Sequence, residues 1–477
     1  LSEETAKLVK TYYERDEISR LMPGIKDFVS LKNDKGIRTH VQKRLLLGNI
    51  NELYILFTSE YPDVKLSIST FTKLRPLHCV LAGSSGTHNV CVCVHHENIK
   101  LMMNDAYIQN LTKDTNMILT NYRDCLNAIV CSESTSSCHL NECQNCPGLE
   151  NLKQHLISVF DNHNIHEVKF EMWLQTDRCT LKTVVVDTDE FIQDFCNRLL
   201  KLKFHHFIAN EQSSFFKNLK DNLLPDEFMI CFDFAENYAF VIQNSAQSFH
   251  WNNDQATIFT VVIYYKESGQ LKHKSIAIIS DNLAHDTAAV YVYQKLILDY
   301  LKSCFKPTKV YYCSDGAGQH FKNKSSFANL QAHEKDFGIT AEWHYHATSH
   351  GKGACDGIGA NIKRNARRHS LQCSAHNHLL TPQTLFEWAK NNCKETTVIF
   401  SSKDDHKEAS EFLKTRFENA VTIPGTLHYH AVIPSQDGKL HLKKFSNSPL
   451  YDVFPKNQKR ISQCKTLKYT SKKSKRR

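Results

Sequence analysis

At 477 residues, with 41% hydrophobic and 23% charged side chains, the chain has room for two to four domains and enough apolar residues for a large core. No run approaches the 18 consecutive apolar residues of a membrane span, and the opening LSEETAKLVKTYYERDE lacks the apolar stretch of a secretory signal. The net charge of +9 is local: residues 456–477 hold ten Lys/Arg and no acid, and removing those ten from 59 leaves 49 basic against 50 acidic residues.

The first elements read as helical. Leu8, Val9, Tyr12 and Tyr13 recur at helical spacing, followed by Ile18 and Leu21 and a break at Pro23-Gly24. A turn at NDKG precedes VQKRLLLGNINELYILFTSEYP, whose Leu53, Leu56 and Phe57 share a helix face up to Pro62. Ser67 is placed to cap a short helix reaching Leu74. With Lys65, Lys73 and Arg75 nearby, this helix pair is either a helix-turn-helix DNA reader or an ordinary helical pair. A chain that starts at Leu1 is expected to be a fragment with a domain upstream.

Eight of the 17 cysteines fall between Cys79 and Cys146, which without a secretory signal favours metal over disulfides. Cys131-x6-Cys138-x4-Cys143-x2-Cys146 supplies four thiols for one tetrahedral zinc ion. Cys91-x-Cys93-x2-His96 supplies three ligands. Its fourth is open among Cys79, His78, Cys125 and His88, with Cys125 preferred. Both are expected to be structural zinc sites that fold a small domain. The bland alternative is buried, reduced thiols.

Residues 151–225 read as mainly helical, with a long aromatic-rich helix carrying His205 and His206, which read as structural. The core follows: EFMICFDF, ATIFTVVIYYK, KHKSIAIISDN, a helix at 286–305, KVYYCSD, a helix at 321–337, ITAEWHYHAT and a final helix IGANIKRNARRHS. The pattern is β-β-β-α-β-α-β-α. Asp233 and Asp315 end apolar strands, and Asp356 follows a glycine-rich loop. Carboxylates so placed suit Mg²⁺, although turn aspartates and a helix cap look the same in sequence. Glu342 is the rival third acid.

In the loop, His350 and Lys352 are candidates for phosphate contact. Gly351, Gly353, Gly357 and Gly359 permit close backbone approach. Lys363, Arg364, Arg367 and Arg368 form a basic helix face, a DNA-backbone surface or a solvated one. SHGKG is not a Walker A loop, so nucleotide hydrolysis is not expected.

This strand order, with the words DFAENY, SDGAGQHFKN and EWHYHATSHGKGACDGIG, resembles the RNase H-like fold of DDE/D transposases and retroviral integrases, in particular a transposon-derived group of animal genomes. The resemblance implies that Asp233, Asp315 and Asp356, spaced by 82 and 41 residues, are catalytic and hold Mg²⁺ or Mn²⁺ for strand cleavage and strand transfer. It departs from many relatives in using Asp as the third acid. The implied partners are transposon ends and target DNA, with a homo-oligomer and no membrane.

After residue 376 two helices, a strand and two further strands around a DG turn read as a small α+β accessory module. The tail SKKSKRR resembles a nuclear-localisation signal, so the nucleus is the expected compartment. The expected layout is therefore an α/β protein. It has a helical, possible DNA-binding region at 1–78, a zinc region at 79–150 and a helical linker at 151–225. An RNase H-like core at 226–375, an accessory module at 376–455 and a disordered basic tail at 456–477 complete it. The expected function is a DDD-type transposase or a domesticated derivative. A catalytically inactive transposase-derived DNA-binding or chromatin protein is the alternative, and a nuclease of free nucleic acid is the third reading.

Overall fold

The computed structural model describes residues 2–15, 18–22, 27–32, 38–81, 93–242, 254–351, 353–374 and 377–454. The basic tail, Cys91 and Lys352 lie outside them. The described chain is mixed α/β, and no helix in it is long and apolar enough to cross a membrane.

A ten-stranded mixed sheet dominates the C-terminal half. Its principal strands are β1 (Glu227–Phe234), β2 (Gln255–Glu267), β3 (Gln270–Ser280), β4 (Lys309–Ser314), β5 (Thr340–Tyr345), β6 (Thr396–Ser401), β7 (Ala431–Pro434), β8 (Leu440–Lys443) and β9 (Asp452–Phe454). Their order is β6-β3-β2-β1-β4-β5-β7-β8-β9. β1, β2 and β3 form an antiparallel meander, while β4 and then β5 add in parallel beside β1. The β2–β3 turn centres on Ser268 and Gly269, with φ of 53° and 77°. Left-handed backbone at both positions matches the right-handed twist of a two-residue hairpin. The apolar runs in β1, β2 and β4 are buried on both faces, as strands covered on either side must be.

Helices make the crossovers. α2 (Thr287–Cys304) starts at an Asp286 cap and leads to β4; α3 (Lys324–Phe337) is capped by Asn323 and closed by left-handed Gly338. After β5, α4 (Ala354–Gln372) packs back on β1 and β2. α5 (Pro382–Asn392), with Pro at its first turn, leads to β6, and α6 (Lys403–Glu418) lies on α2 and α3. There Arg416 grips Asp336 with two hydrogen bonds of 2.7 and 3.0 Å.

The segments after residue 376 are not a separate accessory module. β6 pairs in parallel with β3 at one edge of the sheet, and β7 pairs with β5 at the other. Ladder hydrogen bonds and a shared core make them part of one body.

The N-terminal region is not mainly helical either. Helices Glu3–Tyr13, Ile50–Glu60 and Ile68–Lys73 pack with strands Ser19–Leu21, Arg44–Leu46 and Cys79–Val80, and Phe28–Lys32 pairs with Arg38–Gln42. The aromatic core of Tyr12, Tyr13, Phe57 and Phe71 holds the helices together. The third helix spans only six residues, about 9 Å, too short for a groove-reading helix. Arg75 turns inward to the Cys79 carbonyl, whereas Lys73 is exposed.

The linker also contains strands. FEMWLQ lies in Glu167–Gln175, which pairs with Cys179–Asp187. The next helix, α1 (Thr188–Asn222), is 35 residues and about 50 Å long. Its first half buries Phe191, Phe195 and Leu199 against the cysteine-rich region. Its last turns bury Phe216 against Met229 and Cys313 of the sheet. One helix thus serves two cores.

Candidate functional site

Parallel pairing of β1 with β4 carries both chains toward the same edge, where Asp233 is the penultimate residue of β1 and Asp315 follows β4 directly. α4 begins beside them, with Asp356 in its first turn. Asp315 and Asp356 are exposed and Asp233 is half-buried. Burial, then the charges of Asp315 and Asp356, push the Asp233 carboxyl up to about 7. Two of the acids also serve the backbone: Asp315 Oδ1 accepts from the Ala317 N–H at 3.1 Å, and Asp356 Oδ2 from the Gly353 N–H at 2.8 Å.

Glu342 belongs elsewhere. It pairs in register with Tyr311, four residues or about 13 Å back along the strands from Asp315. Burial opposes its charge, but His344 and Lys309 overcome this and hold its carboxyl down at about 2. His344 is spent on Glu342 and Ser446, and the His346 ring packs at a tilt against Phe216, 4.3 Å between centroids. These two histidines face α1 and make no metal triad with His350.

Two groups bring four potential ligand atoms within 4.8 Å of one another among the described residues, and the three aspartates are not one of them. The first is Cys131, Cys138, Cys143 and Cys146, the predicted set. Cys131 Sγ lies 3.8 Å from the sulfurs of Cys143 and Cys146. That is the edge of a tetrahedron with metal–sulfur bonds of about 2.3 Å. The Thr135 N–H and hydroxyl bring the Cys138 thiol down to about 6, toward the thiolate that binds metal. These four residues could bind a metal such as zinc.

The second group is Cys93, His96, His205 and His350. Cys93 caps the helix Val94–Asp105, His96 lies in its first turn, His205 is in mid-α1, and His350 is in the loop after β5. His205 Nε2 is 3.1 Å from both Cys93 Sγ and His350 Nε2. Burial keeps His205 and His350 neutral, down to about 3 and 4, the state in which imidazole ligates. His96 Nδ1 is buried without a hydrogen-bond partner, and His96 Nε2 contacts His206 Nδ1 at 3.0 Å. This donor set also suits zinc.

The geometry corrects three expectations. Cys125 is fully buried beside Met103 and is not the fourth ligand. His205 is a member of the group rather than a structural helix residue. His350 faces His205 instead of standing free for phosphate. Ligands 112 and 145 residues apart leave no spacing for a motif to register. An adjacent HH pair on an amphipathic helix was the only signal.

A groove of about 1540 Å³ joins these features. Asp233, Asp315, Cys93, His96 and His350 line it, and so do Lys217, Lys220, Lys274, Lys390 and Lys394. None of these lysines was singled out from sequence, because they come from α1, β3 and α5 or its exit and cluster only in the fold. Of the predicted basic face, Arg364, Arg367 and Arg368 are exposed, while Lys363 reaches the Glu236 carbonyl at 3.0 Å.

Three family models match the chain, each described as a domain of unknown function: DUF8699 over residues 1–83, DUF8700 over 94–203 and DUF8701 over 212–446. No curated protein and no solved structure matches. The third match covers all three aspartates and the large sheet up to β8. His205 falls between the second and third.

Proposed function

We propose that the chain is a metal-dependent DNA-processing enzyme with an RNase H-like core, a DDD-type transposase or a domesticated derivative of one. The observation that carries this reading is the meeting of Asp233, Asp315 and Asp356 at one sheet end, where burial and then the charges of the other two acids push Asp233 up to about 7. The central strand order β3-β2-β1-β4-β5, antiparallel in the meander and parallel beyond it, supports the fold assignment.

The three acids offer only oxygen donors, which suits Mg²⁺ or Mn²⁺, and a cation would offset the burial and the repulsion that together favour protonated Asp233. Bound there, such ions activate the attacking oxygen and stabilise the leaving oxygen of a phosphodiester. The protein's own part is positioning. Lysines of the groove hold backbone phosphates, and the glycines around Asp356 let the strand approach closely. The basic run after residue 455 supplies a nuclear address in this reading.

The test compares nicking of supercoiled plasmid in Mn²⁺ by the parent and Asp315→Ala, with DNA binding followed by fluorescence anisotropy. Nicking that disappears while binding persists is the expected result. Nicking that survives the substitution overturns the assignment of the acids.

A second reading, a DNA-binding protein without chemistry, draws on the Asp356 cap and on the absence of the aspartates from the groups that close within 4.8 Å. A parent that binds DNA but never nicks it would favour that reading.

A further inference from the structure

We propose that the ion held by Cys93, His96, His205 and His350 is a positioning metal for the aspartate site: it fixes the loop on which Asp315 and Asp356 rest. The inference rests on the function proposed above only for the role of the aspartates.

The chain from β5 to α4 is short and touches both centres. His350 enters the Cys/His group, and its own N–H donates to the Ala347 carbonyl at 2.9 Å. Between them Ser349 takes φ of 63°, a left-handed conformation unfavourable for a residue with a Cβ. Such a residue persists where its surroundings over-determine it, and a metal bond to the next side chain is such a determinant. Gly351 then lies next to Asp315: a methyl group built there would sit in van der Waals contact, 3.6 Å from Asp315 Cβ and 3.5 Å from His346 Cβ. Two residues on, the Gly353 N–H donates to Asp356. Six residues thus run from a metal ligand to the third acid, passing beside Asp315 and donating one backbone hydrogen bond to Asp356.

The other ligands anchor this loop to rigid elements. His205 is on α1, whose last turns pack under the sheet, and Cys93 and His96 open a helix of the cysteine-rich region. The Cys₄ group contributes no residue to the groove that Asp233 and Asp315 line. Two zinc ions would therefore differ in consequence, one remote from the reaction centre and one joined to it.

The experiment uses the full chain. Zinc per chain is measured by plasma mass spectrometry, hydrogen exchange is followed over residues 346–357, and Mn²⁺ affinity is measured by electron paramagnetic resonance. The parent should carry two zinc ions. His205→Ala should carry one, exchange roughly tenfold faster over 346–357, and bind Mn²⁺ about tenfold more weakly. His205→Cys, which keeps a ligand, should restore all three. Cys143→Ser should lose its zinc without changing exchange over 346–357. If His205→Ala does not fold, His350→Ala and His350→Cys give the same comparison. Retention of two zinc ions by the alanine variant, or loss of one with unchanged exchange, overturns the proposal. A parent that binds no Mn²⁺ would instead sink the functional reading, while the exchange result still decides the role of the Cys/His ion.

Discussion

Asp233 is half-buried at the penultimate position of β1, within electrostatic reach of Asp315 and Asp356. An acid at the end of an apolar strand is visible without a structure, because a carboxylate that closes a continuous apolar run is conspicuous. Its electrostatic condition is not visible, since it depends on Asp315 and Asp356 arriving from 82 and 123 residues downstream. A carboxyl in an unfolded chain titrates near about 3.9. Raised to about 7, Asp233 keeps in the fold a proton that the unfolded chain releases. Its contribution therefore favours folding at acid pH and is lost as pH rises through about 7. Asp233→Asn cannot ionise. Without divalent cations it should melt several degrees above the parent at pH 8, and the two melting curves should converge toward pH 4. Equal melting temperatures at pH 8, read by differential scanning fluorimetry, would contradict the upward shift of the Asp233 carboxyl. His205 is the opposite case. Its ligand partners lie so far away in sequence that nothing local separates it from any other buried helix histidine.

At the scale of elements, the helices and strands of the sheet were legible and their partners were not. β6 and β7 both read as strands, yet a strand's alternation states which face is buried and leaves open which edge it joins. The N-terminal strands were missed because the three-residue runs Ser19–Leu21 and Arg44–Leu46 are too short to show a period. α4 shows what the glycine-rich word after β5 accomplishes. A Cβ at Gly359 would meet Ala235 Cβ at 3.0 Å and Thr260 Cγ2 at 3.4 Å, so the helix lies almost on the backbone of the sheet. Gly359→Val should push α4 outward and take Asp356, one turn earlier, with it. The expected cost is about 1–3 kcal/mol in denaturant unfolding, together with weakened Mn²⁺ binding. Parent-like stability would mean that the contact is looser than the geometry indicates.

Across the whole molecule, the sequence outlined the cysteine-rich region and the sheet but set them apart as separate regions joined by a linker. The structure joins them twice, through α1 and through the Cys/His group. The groove is likewise a property of the whole. Its lysines come from α1, β3, α5 and the exit of α5, so a tally of charge along the chain, which gives the body near neutrality, cannot reveal it. Concentrating cations beside three acids gives a nearly neutral body one face that can follow a phosphate backbone.

The two metal groups also set an order of assembly. The Cys₄ ligands span 15 residues, whereas His350 is 257 residues from Cys93. Closing the longer loop in an unordered chain costs about 2.5 kcal/mol more in entropy, and its ligands meet only after α1 and the sheet exist. Metal should therefore be taken up in two steps during refolding, a fast one as the local thiols close and a slow one that follows formation of the sheet. With Co²⁺ as a chromophoric probe, the thiolate-rich absorption should rise first. The mixed thiolate–imidazole band should grow at the rate of the last folding phase, and simultaneous growth of both bands would exclude that order.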